Sequence, residues 1–454
     1  MFSEKAFKAY DIRGIVPAEV NEEMAYRVGR VFAVMLGAKS VVLGRDIRTT
    51  GKKLTTALAE GLRHAGTNVI DIGQCGTEMI YFATAHLKTD GGIMVTASHN
   101  PANYNGMKLV RRGAKPISED TGLKDIARMV VNGAIPDSIY PGTKVGKVET
   151  YNIMPEYVKH ILTYVDTAVL KPLKIVVNPG NGGAGAVIKK MEKKLPFEFI
   201  KINEKPDGTF PNGVPNPLLP ENRAATSKAV IDNKADLGIA WDGDFDRCFF
   251  FDEKGNFIEG YYLVGLLAQV FLEKNPGEKI LYDPRLTWNT EEIIEKFKGQ
   301  PVRCKSGHAF IKECMRTNGV IYGGEMSAHH YFRDFSYCDS GMIPWLMVTE
   351  LMSRTGKTLA QLVEARVALY PCSGEINRKV ENAGEVLAKI EKKYADAKLD
   401  YLDGISVEYA KWRFNIRISN TEPVMRLNVE TRGDEKLLQE KTNEVLAIMG
   451  GNEV

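Results

Sequence analysis

Residues 41–98 read VVLGRDIRTTGKKLTTALAEGLRHAGTNVIDIGQCGTEMIYFATAHLKTDGGIMVTAS, and this stretch decides the fold of the chain. Short runs rich in β-branched and apolar residues alternate here with two longer segments whose apolar residues recur at helical spacing. The order strand, helix, strand, helix, strand is typical of a sheet that contains parallel strands. We therefore predict that the chain begins with an α/β domain.

The same alternation starts twice more along the chain. It begins again at 174 with KIVVN and continues to ADLGIAW, and a third round runs from the helical segment YYLVGLLAQVFLEK to a strand near VIYGG. After about residue 371, three strands lie between two charged helices, which is typical of a smaller α+β domain. We predict three βαβ-type mixed-sheet α/β domains and a smaller C-terminal α+β domain, with the boundaries 1–150, 151–255, 256–370 and 371–454.

The composition excludes several classes of protein. The chain has 454 residues with 60 Lys and Arg against 57 Asp and Glu, and a net charge of +3 leaves no electrostatic footprint for nucleic acid. No run approaches the roughly 18 apolar residues of a membrane span, and the amino terminus is charged where a signal peptide needs an apolar core. Six cysteines without a C-x-x-C pair indicate neither a disulfide framework nor a zinc site. We expect a cytoplasmic protein that binds neither nucleic acid nor membranes.

The segment TASHNP at 96–101 follows the apolar run that ends at Val95 and contains a strong breaker pair, Asn100-Pro101. Ser98 is thus predicted to lie on a loop just past the carboxyl end of a strand, where open α/β sheets bind their ligands. A serine hydrolase is disfavoured, because the adjacent His99 is poorly placed to act as its base and a G-x-S-x-G elbow is absent. We expect Ser98 to be exposed for chemistry.

The segment DGDFDR at 242–247 places carboxylates at Asp242, Asp244 and Asp246 after an apolar strand. Three like charges this close repel one another unless a hard cation neutralises them. A solvated acidic turn is the alternative. A calcium EF-hand is excluded, because the glycine required at its sixth position is Arg247. The pattern favours Mg²⁺ whose coordination is completed by a phosphate oxygen.

The segment GNGGAG at 180–185 follows a strand, opens a helix and matches the dinucleotide-binding pattern G-x-G-x-x-G. No confident acidic strand end follows about 20 residues later, as that fingerprint requires. Tight packing between the strand and the helix explains the glycines equally well, and we favour it. An oxidoreductase of the NAD type is nevertheless the alternative from a different functional class.

The segment GGEMSAHHYF at 323–332 carries Glu325, Ser327 and His329 at alternate positions, which on an extended backbone face the same side. A carboxylate, a hydroxyl and an imidazole together suit vicinal sugar hydroxyls, although the polar face of an edge strand would look the same. His308 precedes a predicted helix, where a histidine is more often a cap or a surface residue than a catalyst.

The segment RISNTEP at 417–423 combines a guanidinium fork suited to phosphate, Arg417, with the short donors Ser419, Asn420 and Thr421. The same residue types are ordinary in a turn between two strands. The motif therefore indicates a phosphate site only in combination with the others.

Taken in order, AYDIRG at 9–14, TASHNP, DGDFDR, GEMSAHH at 324–330 and RISNTEP resemble the α-D-phosphohexomutase family, most closely its bacterial phosphomannomutases. The resemblance covers essentially the whole chain and implies four domains around a central cleft. It implies an isomerase that reversibly converts mannose 6-phosphate to mannose 1-phosphate through a phosphoserine and a bound 1,6-bisphosphate. The implied cofactors are one Mg²⁺ per site and a catalytic hexose 1,6-bisphosphate. We expect a monomer or weak homodimer whose partner is a small phosphosugar.

The resemblance also implies a role for each motif residue. Ser98 would carry the phosphate, and an oxygen of that phosphate would join Asp242, Asp244 and Asp246 around Mg²⁺. The residues implied around the reacting centre are Arg13, Lys108, Arg247 and His308, with His308 or Lys108 as the base. The residues implied to bind the sugar or its distal phosphate are Tyr10, Arg285, Glu325, Ser327, His329, Arg417, Ser419, Asn420 and Thr421. Two positions depart from the family pattern, since Ala328 stands where many relatives have Gly and Arg285 where some have Lys.

Two alternatives stay open. Glucose phosphates differ from mannose phosphates only at the second carbon, so a dual phosphomannomutase/phosphoglucomutase fits the same residues. The NAD-type oxidoreductase built on GNGGAG is the different-class alternative. Phosphate exchange that requires Mg²⁺, without nicotinamide binding, would separate the mutase from the oxidoreductase.

Overall fold

The structure, a computed structural model, describes residues 4–133, 145–418 and 424–453. Within these residues the chain divides into two compact units. The first contains the described residues up to Phe257 together with Tyr331–Gly356, and the second contains Ile258–His330 and the described residues from Lys357 onward. The chain therefore leaves the first unit after Phe257 and returns to it for one short segment.

The amino-terminal part of the first unit is built on a seven-stranded mixed sheet. Its strands are β1 (Ile12–Ile15), β2 (Ser40–Arg45), β3 (Asn68–Gln74), β4 (Gly91–Val95), β5 (Tyr104–Arg111), β6 (Lys115–Pro116) and β7 (Val148–Thr150). They lie in the order β1-β5-β4-β2-β3-β7, with β6 beside β5. Strand β2 is parallel to β3 and β4, whereas β5 is antiparallel to β4 and to β1. Strands β2, β3 and β4 are the three that the opening stretch of sequence predicts, and β7 adds a fourth strand parallel to β3.

Four amphipathic or buried helices accompany this sheet. They are α1 (Glu22–Leu36), α2 (Gly51–His64), α3 (Thr77–His86) and α4 (Leu123–Val131). Helix α1 begins where the Asn21 side chain accepts a hydrogen bond from the Met24 amide, and it ends at Gly37, whose φ of 54° suits a left-handed cap. The apolar faces of α1, α2 and α4 pack with the strands into one core that includes Phe32 and Leu58.

A five-stranded sheet forms the next part of the first unit. Its elements are α5 (Met154–Ile161), β8 (Lys174–Asn178), α6 (Ala184–Met191), β9 (Glu198–Lys201), α7 (Ala224–Asn233), β10 (Leu237–Trp241), β11 (Cys248–Phe251) and β12 (Phe257–Ile258). The strand order is β12-β11-β10-β8-β9, with β8 parallel to β9 and β10, and β11 antiparallel to β10. The acidic segment 242–247 is thus the connection between β10 and β11.

The second unit begins with helices around three parallel strands. In chain order the elements are α8 (Gly260–Lys274), β13 (Lys279–Tyr282), α9 (Trp288–Lys296), β14 (Gln300–Arg303), α10 (His308–Asn318) and β15 (Tyr322–Gly324). Strand β13 lies between β14 and β15 and is parallel to both.

The segment that returns to the first unit contains an antiparallel strand pair and a helix. These elements are β16 (His330–Phe332), β17 (Cys338–Asp339) and α11 (Ile343–Thr355). Two tryptophans fix the segment in the first unit. Trp241 Nε1 donates a 2.8 Å hydrogen bond to the Gly341 carbonyl, and the buried Trp345 ring packs edge-on against Phe199.

The carboxyl-terminal part of the second unit is a six-stranded sheet with helices. Its elements are α12 (Leu359–Leu369), β18 (Ile376–Lys379), α13 (Ala383–Lys393), β19 (Lys398–Asp400), β20 (Ile405–Glu408), β21 (Trp412–Ile418), β22 (Met425–Thr431), α14 (Glu435–Met449) and β23 (Asn452–Glu453). The strand order is β19-β20-β21-β22-β18-β23, and neighbouring strands are antiparallel. The predicted α/β class with a smaller C-terminal α+β domain is confirmed, whereas the domain boundaries and the shared cleft stay predictions.

Candidate active site

Ser98 lies on the loop after β4, as the sequence predicts, but it is not exposed. Its relative exposure is 4%, and its backbone has a φ of 48°, in the left-handed region that non-glycine residues rarely adopt. The expectation of an exposed serine was therefore wrong, because the loop folds back onto the acidic connection between β10 and β11. An unusual backbone conformation at a buried polar residue marks this loop as a candidate site.

The Ser98 hydroxyl lies against a carboxylate that comes from far along the chain. Ser98 Oγ donates a 2.8 Å hydrogen bond to Asp242 Oδ2, which also accepts a 2.9 Å hydrogen bond from Arg247 Nε. The three side chains are almost fully buried. The serine oxygen is thus oriented by an anion that a guanidinium holds in place.

His99 is closer to the serine than the sequence suggested. Its Nδ1 lies 3.0 Å from Ser98 Oγ and 2.5 Å from an Arg247 guanidinium nitrogen. Because a guanidinium can only donate, Nδ1 carries a lone pair and the ring proton is on Nε2. Burial and the nearby positive charge of Arg247 hold the pKa of His99 well below its usual range. A neutral His99 whose Nδ1 accepts from Arg247 is poorly suited to deprotonate Ser98.

The carboxylates Asp242, Asp244 and Asp246 converge in the first unit. One oxygen of each lies within 4.8 Å of the others, and all three side chains are buried. Lys108 Nζ, from β5, donates to Asp244 Oδ2 at 2.8 Å and to Asp246 Oδ2 at 2.6 Å. Burial opposes the charge on Lys108, but the two aspartates outweigh it and raise the pKa of the ammonium above its usual range. Lys108 is therefore a cation here.

The same carboxylates fit a divalent metal ion. Burial raises the pKa of Asp244, but the Lys108 charge and hydrogen bonds from Lys108 and Thr77 outweigh it, so the net shift is downward and Asp244 is ionised. Asp244 Oδ1 is buried and accepts no hydrogen bond from the described residues. A buried, ionised carboxylate oxygen without a donor is costly unless a cation binds it. Three oxygen donors around one point are the ligand type that Mg²⁺ prefers.

A phenylalanine that the sequence reading passed over shapes this acidic loop. Phe245 is fully buried with a φ of 46°, and its ring lies between Gly76 and Gly183. A Cβ at Gly76 would lie 2.2 Å from the ring, and one at Gly183 would lie 2.9 Å from it. At least one glycine of GNGGAG is thus explained by packing, although against Phe245 of the acidic segment rather than between the strand and the helix, as the sequence analysis favoured. The left-handed backbone conformation of Phe245 could not be predicted from the sequence.

Arg13 also joins the group in the first unit, and Tyr10 lies nearby in the chain. One Arg13 guanidinium nitrogen donates to Asn100 Oδ1 at 2.6 Å, within the Ser98 loop, and another donates to Asp11 Oδ2 at 2.5 Å. Tyr10 is partly exposed at the bend before β1. The structure therefore brings together Arg13, Ser98, Lys108, Arg247 and the three aspartates.

The second unit contains a different cluster, centred on a residue that the sequence analysis missed. Glu375 Oε2 lies 3.1 Å from an Arg285 guanidinium nitrogen and 3.5 Å from one of Arg417, and Glu375 Oε1 lies 3.2 Å from one of Arg426. Burial raises the pKa of Glu375, but Arg426, Arg285 and Arg417 together bring it below its usual value. One carboxylate thus holds three guanidinium groups.

Arg285 connects this cluster to the GEMSAHH motif. It donates to both oxygens of Asp283, at 2.8 and 2.9 Å, and one of its nitrogens lies 3.4 Å from Ser327 Oγ. The same guanidinium lies 3.6 Å from Glu325 Oε1. The motif residues Glu325 and Ser327 therefore share one buried arginine.

The backbone of the GEMSAHH motif is not extended, so the predicted alternation of its side chains was wrong. Strand β15 ends at Gly324, and the chain then turns. The Glu325 amide donates to the His329 carbonyl at 2.9 Å, and Ala328, with a φ of 71°, donates to the Glu325 carbonyl at 3.0 Å. The left-handed residue explains why Gly is suited to position 328. Glu325, Ser327 and His329 lie on one tight turn rather than on one face of a strand.

His308 is the first residue of α10, where its Nδ1 lies 3.5 Å from Lys312 Nζ. The preceding Gly307 amide donates a 3.1 Å hydrogen bond to Glu325 Oε1, so the His308 loop and the GEMSAHH turn meet within the second unit. Of the RISNTEP motif, Arg417 lies on β21, whereas Ser419, Asn420 and Thr421 lie outside the described residues.

The described residues include no helix that is long and apolar enough to cross a membrane.

Comparison with known families identifies the family to which this chain belongs. Models of the four domains of the phosphoglucomutase/phosphomannomutase family match the chain, with α/β/α domains I, II and III at 4–134, 155–255 and 259–370 and the C-terminal domain at 375–447. Together these matches cover most of the chain. The chain therefore belongs to the phosphoglucomutase/phosphomannomutase family.

Individual relatives agree with the family assignment. The chain is 58% identical over 448 residues to phosphohexose mutases of Xanthomonas campestris pv. campestris, covering 98% of this chain and 99% of that one. It is 58% identical over 451 residues to a phosphomannomutase of Escherichia coli, covering 98% of each chain. Among solved structures, it resembles a phosphoglucomutase/phosphomannomutase family protein from Burkholderia thailandensis with a TM-score of 0.88 and 32% identity over the full length of both chains.

Proposed function

We propose that this chain is a phosphomannomutase, an isomerase that interconverts mannose 6-phosphate and mannose 1-phosphate through a phosphoserine at Ser98 and a hexose 1,6-bisphosphate. The observation that carries the proposal is the hydrogen bond from Ser98 Oγ to Asp242 in a buried group of three carboxylates and two cations. The name of the Escherichia coli relative, at 58% identity over nearly the whole chain, supports the choice of mannose.

Asp242, Asp244 and Asp246 would hold Mg²⁺ together with an oxygen of the phosphate on Ser98. The unpartnered, buried Asp244 Oδ1 supports this assignment. Bound there, the ion would disperse negative charge on the phosphoryl group during transfer.

The cations around Ser98 would share that task. Lys108 is kept protonated by two aspartates, so we assign it as a donor to the phosphoryl oxygens rather than as the base. Arg247 and Arg13 contact the Ser98 loop through His99 and Asn100 and would bind the same group. Because phosphoryl transfer depends chiefly on positioning and charge, this set of donors suits the reaction.

Each attacking oxygen, Ser98 Oγ in one transfer and a sugar hydroxyl in the other, must also lose a proton to a base. When Ser98 Oγ attacks a phosphate of the bisphosphate, Asp242 Oδ2 at 2.8 Å would accept its proton, because His99 Nδ1 at 3.0 Å already accepts from Arg247. The sugar hydroxyl that attacks phosphoserine needs a base of its own. The sequence analysis offered His308 or Lys108 as this base. Because Lys108 is assigned as a donor, we propose His308 as the base.

The second unit supplies the residues proposed to bind the non-reacting part of the substrate. Glu325, Ser327 and His329 on their turn, with Arg285 beneath them, would bind sugar hydroxyls, and Tyr10 of the first unit would contribute to the same substrate. Arg417 would bind the distal phosphate together with Ser419, Asn420 and Thr421. Three guanidinium groups on one carboxylate support an anion site here.

We propose that these roles divide among four domains, with the boundaries 1–150, 151–255, 256–370 and 371–454. The first would carry the phosphoserine, the second the metal, the third the sugar site and the fourth the distal phosphate. The bisphosphate must turn end for end between the two transfers, so one cleft shared by the domains suits the reaction.

A dual phosphomannomutase/phosphoglucomutase is the second candidate. The Xanthomonas relative, at 58% identity, is described in the plural as phosphohexose mutases, which favours activity on more than one sugar. Hydroxyl-binding residues need not distinguish the second carbon, which is the only difference between the two sugars.

Initial rates on mannose 1-phosphate and glucose 1-phosphate, with catalytic 1,6-bisphosphate added, test both candidates. A kcat/KM at least about tenfold higher for mannose, roughly 1.4 kcal/mol of discrimination, supports the phosphomannomutase, and comparable values support the dual enzyme. Activity must disappear with EDTA and return with Mg²⁺. Turnover that persists in EDTA would refute the metal site. Ser98→Ala should lose nearly all turnover when no bisphosphate is added. Its control is Ser227→Ala, which changes a serine of the same unit whose hydroxyl donates to the Gly255 carbonyl.

A further inference from the structure

Arg48, which no motif singled out, lies beneath the Ser98 loop. It follows β2 and is 3% exposed. One of its terminal nitrogens donates to the Ser98 and Asn100 carbonyls at 2.9 and 2.5 Å. The other donates to the Pro101 and Tyr104 carbonyls at 2.6 and 2.9 Å. A single side chain thus binds four backbone carbonyls of one loop.

A second set of contacts connects Arg48 to the same loop from the other side. Asp46 Oδ2 lies 3.3 Å from Arg48 Nε and accepts a 2.7 Å hydrogen bond from Thr96 Oγ1. Thr96 Oγ1 in turn accepts a 2.9 Å hydrogen bond from the Ser98 amide. The Ser98 amide is therefore connected to Asp46 through the Thr96 hydroxyl. The Ser98 carbonyl accepts a hydrogen bond directly from Arg48.

The pair is itself held rigidly. Strands β2 and β4 are parallel neighbours, and the Asp46 amide donates to the Val95 carbonyl at 3.0 Å, so the two loops leave the sheet side by side. The Arg48 guanidinium lies 5.2 Å from the centre of the Phe210 ring, which covers it. A guanidinium that is covered, and whose two terminal nitrogens both donate to backbone carbonyls, is not available to a ligand.

We propose that Arg48 is a positioning residue that holds Ser98 in its left-handed conformation, with Oγ directed at Asp242. The left-handed φ of 48° is unfavourable for serine and persists only where the surroundings impose it. Four carbonyl acceptors converge on Arg48, which suits the planar fork of donors of a guanidinium. A lysine offers three donors from one point and cannot reproduce them. The proposal rests on the proposed function only for its effect on turnover.

The test compares Arg48→Lys with wild type by amide hydrogen exchange of the peptide 96–105 and by steady-state kinetics. We expect faster exchange in that peptide alone, a kcat about 100-fold lower and an unchanged KM, because the serine oxygen is misplaced while the sugar and phosphate residues are intact. A Thr96→Val variant removes the hydrogen bond to the Ser98 amide by a different substitution and should change exchange and kcat in the same direction.

Arg63→Lys is the matched control. Arg63 donates to the Gly146 carbonyl at 2.9 Å and to Glu60 at 2.6 Å, in the same unit but not to the Ser98 loop, so exchange of 96–105 and kcat should stay at wild-type values. Wild-type exchange and kcat in Arg48→Lys, or in Thr96→Val where the first variant does not fold, would overturn the proposal. A wild-type protein without mutase activity would instead refute the proposed function, and the exchange data would still decide the role of Arg48.

Discussion

Each unit contains a buried cluster of charged side chains, and the two clusters differ in the sign of the groups that predominate at their centres. In the first, three carboxylates share one ammonium and one guanidinium, through Lys108 and Arg247. In the second, three guanidinium groups meet at one carboxylate, Glu375, and one of them, Arg285, is also paired with Asp283. The first cluster is built around carboxylate oxygens and the second around guanidinium nitrogens.

This difference explains what each cluster is suited to bind. Carboxylate oxygens are ligands for hard cations and guanidinium groups are donors to phosphates, so the first cluster suits a cation and the second suits an anion. The variants below are chosen to disturb one cluster while the other stays intact.

The largest effect is expected from Asp244→Asn. Removing one of three carboxylates should lower Mg²⁺ affinity and turnover by about 100-fold or more, since the ion loses one of its three anionic ligands. Thermal unfolding with and without Mg²⁺ measures this directly. Mg²⁺ should raise the Tm of wild type, and of an Asp232→Asn control that changes an exposed surface pair, but not that of Asp244→Asn. An equal Mg²⁺-dependent rise in Asp244→Asn would contradict the metal assignment.

The next effect is expected from Glu375→Gln, which leaves three guanidinium groups around a neutral amide. Breaking this buried set should lower the free energy of unfolding of the second unit by about 3 to 5 kcal/mol. Glu391→Gln, an exposed glutamate bonded to the Tyr401 hydroxyl at 2.5 Å, should cost little.

The effect of Glu375→Gln should also depend on pH. The folded pKa of Glu375 lies below its unfolded value of about 4.3, so its contribution is present above that pH and is lost as the pH falls toward the folded pKa. The stability difference between wild type and variant should therefore be constant from pH 7 to about 5 and shrink below about 4.3. A difference that grows with acid would refute the ionised pairing.

A smaller effect is expected from Arg417→Ala. Loss of a charge-assisted contact worth about 1.5 to 3 kcal/mol should raise KM for either phosphosugar by roughly 10- to 150-fold with little change in kcat. Arg378→Ala, which removes an arginine that donates to the Gly451 carbonyl at 3.1 Å, is the control. An unchanged KM in Arg417→Ala would move the distal phosphate site elsewhere.

The smallest effect is expected from Gly76→Ala. Its Cβ would lie 2.2 Å from the Phe245 ring, so the acidic loop must shift, at a cost of about 1 to 3 kcal/mol in stability. Gly51→Ala, at the first residue of α2, should be neutral or slightly stabilising, because its Cβ would lie 3.5 Å from the nearest atom, Cδ of Arg45. Equal unfolding free energies for the two variants would show that Phe245 does not set the loop.

The fold was largely predictable because strand and helix periodicities are local signals. The three βαβ rounds and the C-terminal strands appear where the sequence places them. The motif turns were less predictable. The alternation of Glu325, Ser327 and His329 suggested an extended backbone. The left-handed conformation of Ala328 instead forms a turn, which the spacing of polar residues in the sequence does not indicate.

The partners within each cluster were the hardest to predict. Ser98 and Asp242 are 144 positions apart, and Arg285 and Glu375 are 90 apart. Motif residues were found because their types suit phosphate and sugar chemistry, whereas Arg48 and Glu375 act on other protein groups. Such supporting residues carry no local pattern, so they could not be identified from the sequence. The burial of Ser98 was misjudged for the same reason.

The measurement that tests the mechanism most directly is the mass of the resting protein and of its TASHNP peptide. If Ser98 is the carrier, wild type incubated with hexose 1,6-bisphosphate should gain one phosphate, located on Ser98, and excess monophosphosugar should remove it. Ser98→Ala should gain none and should lose nearly all turnover when no bisphosphate is added. Wild-type turnover by Ser98→Ala under that condition, or a phosphate that locates to another residue, would contradict the phosphoserine mechanism.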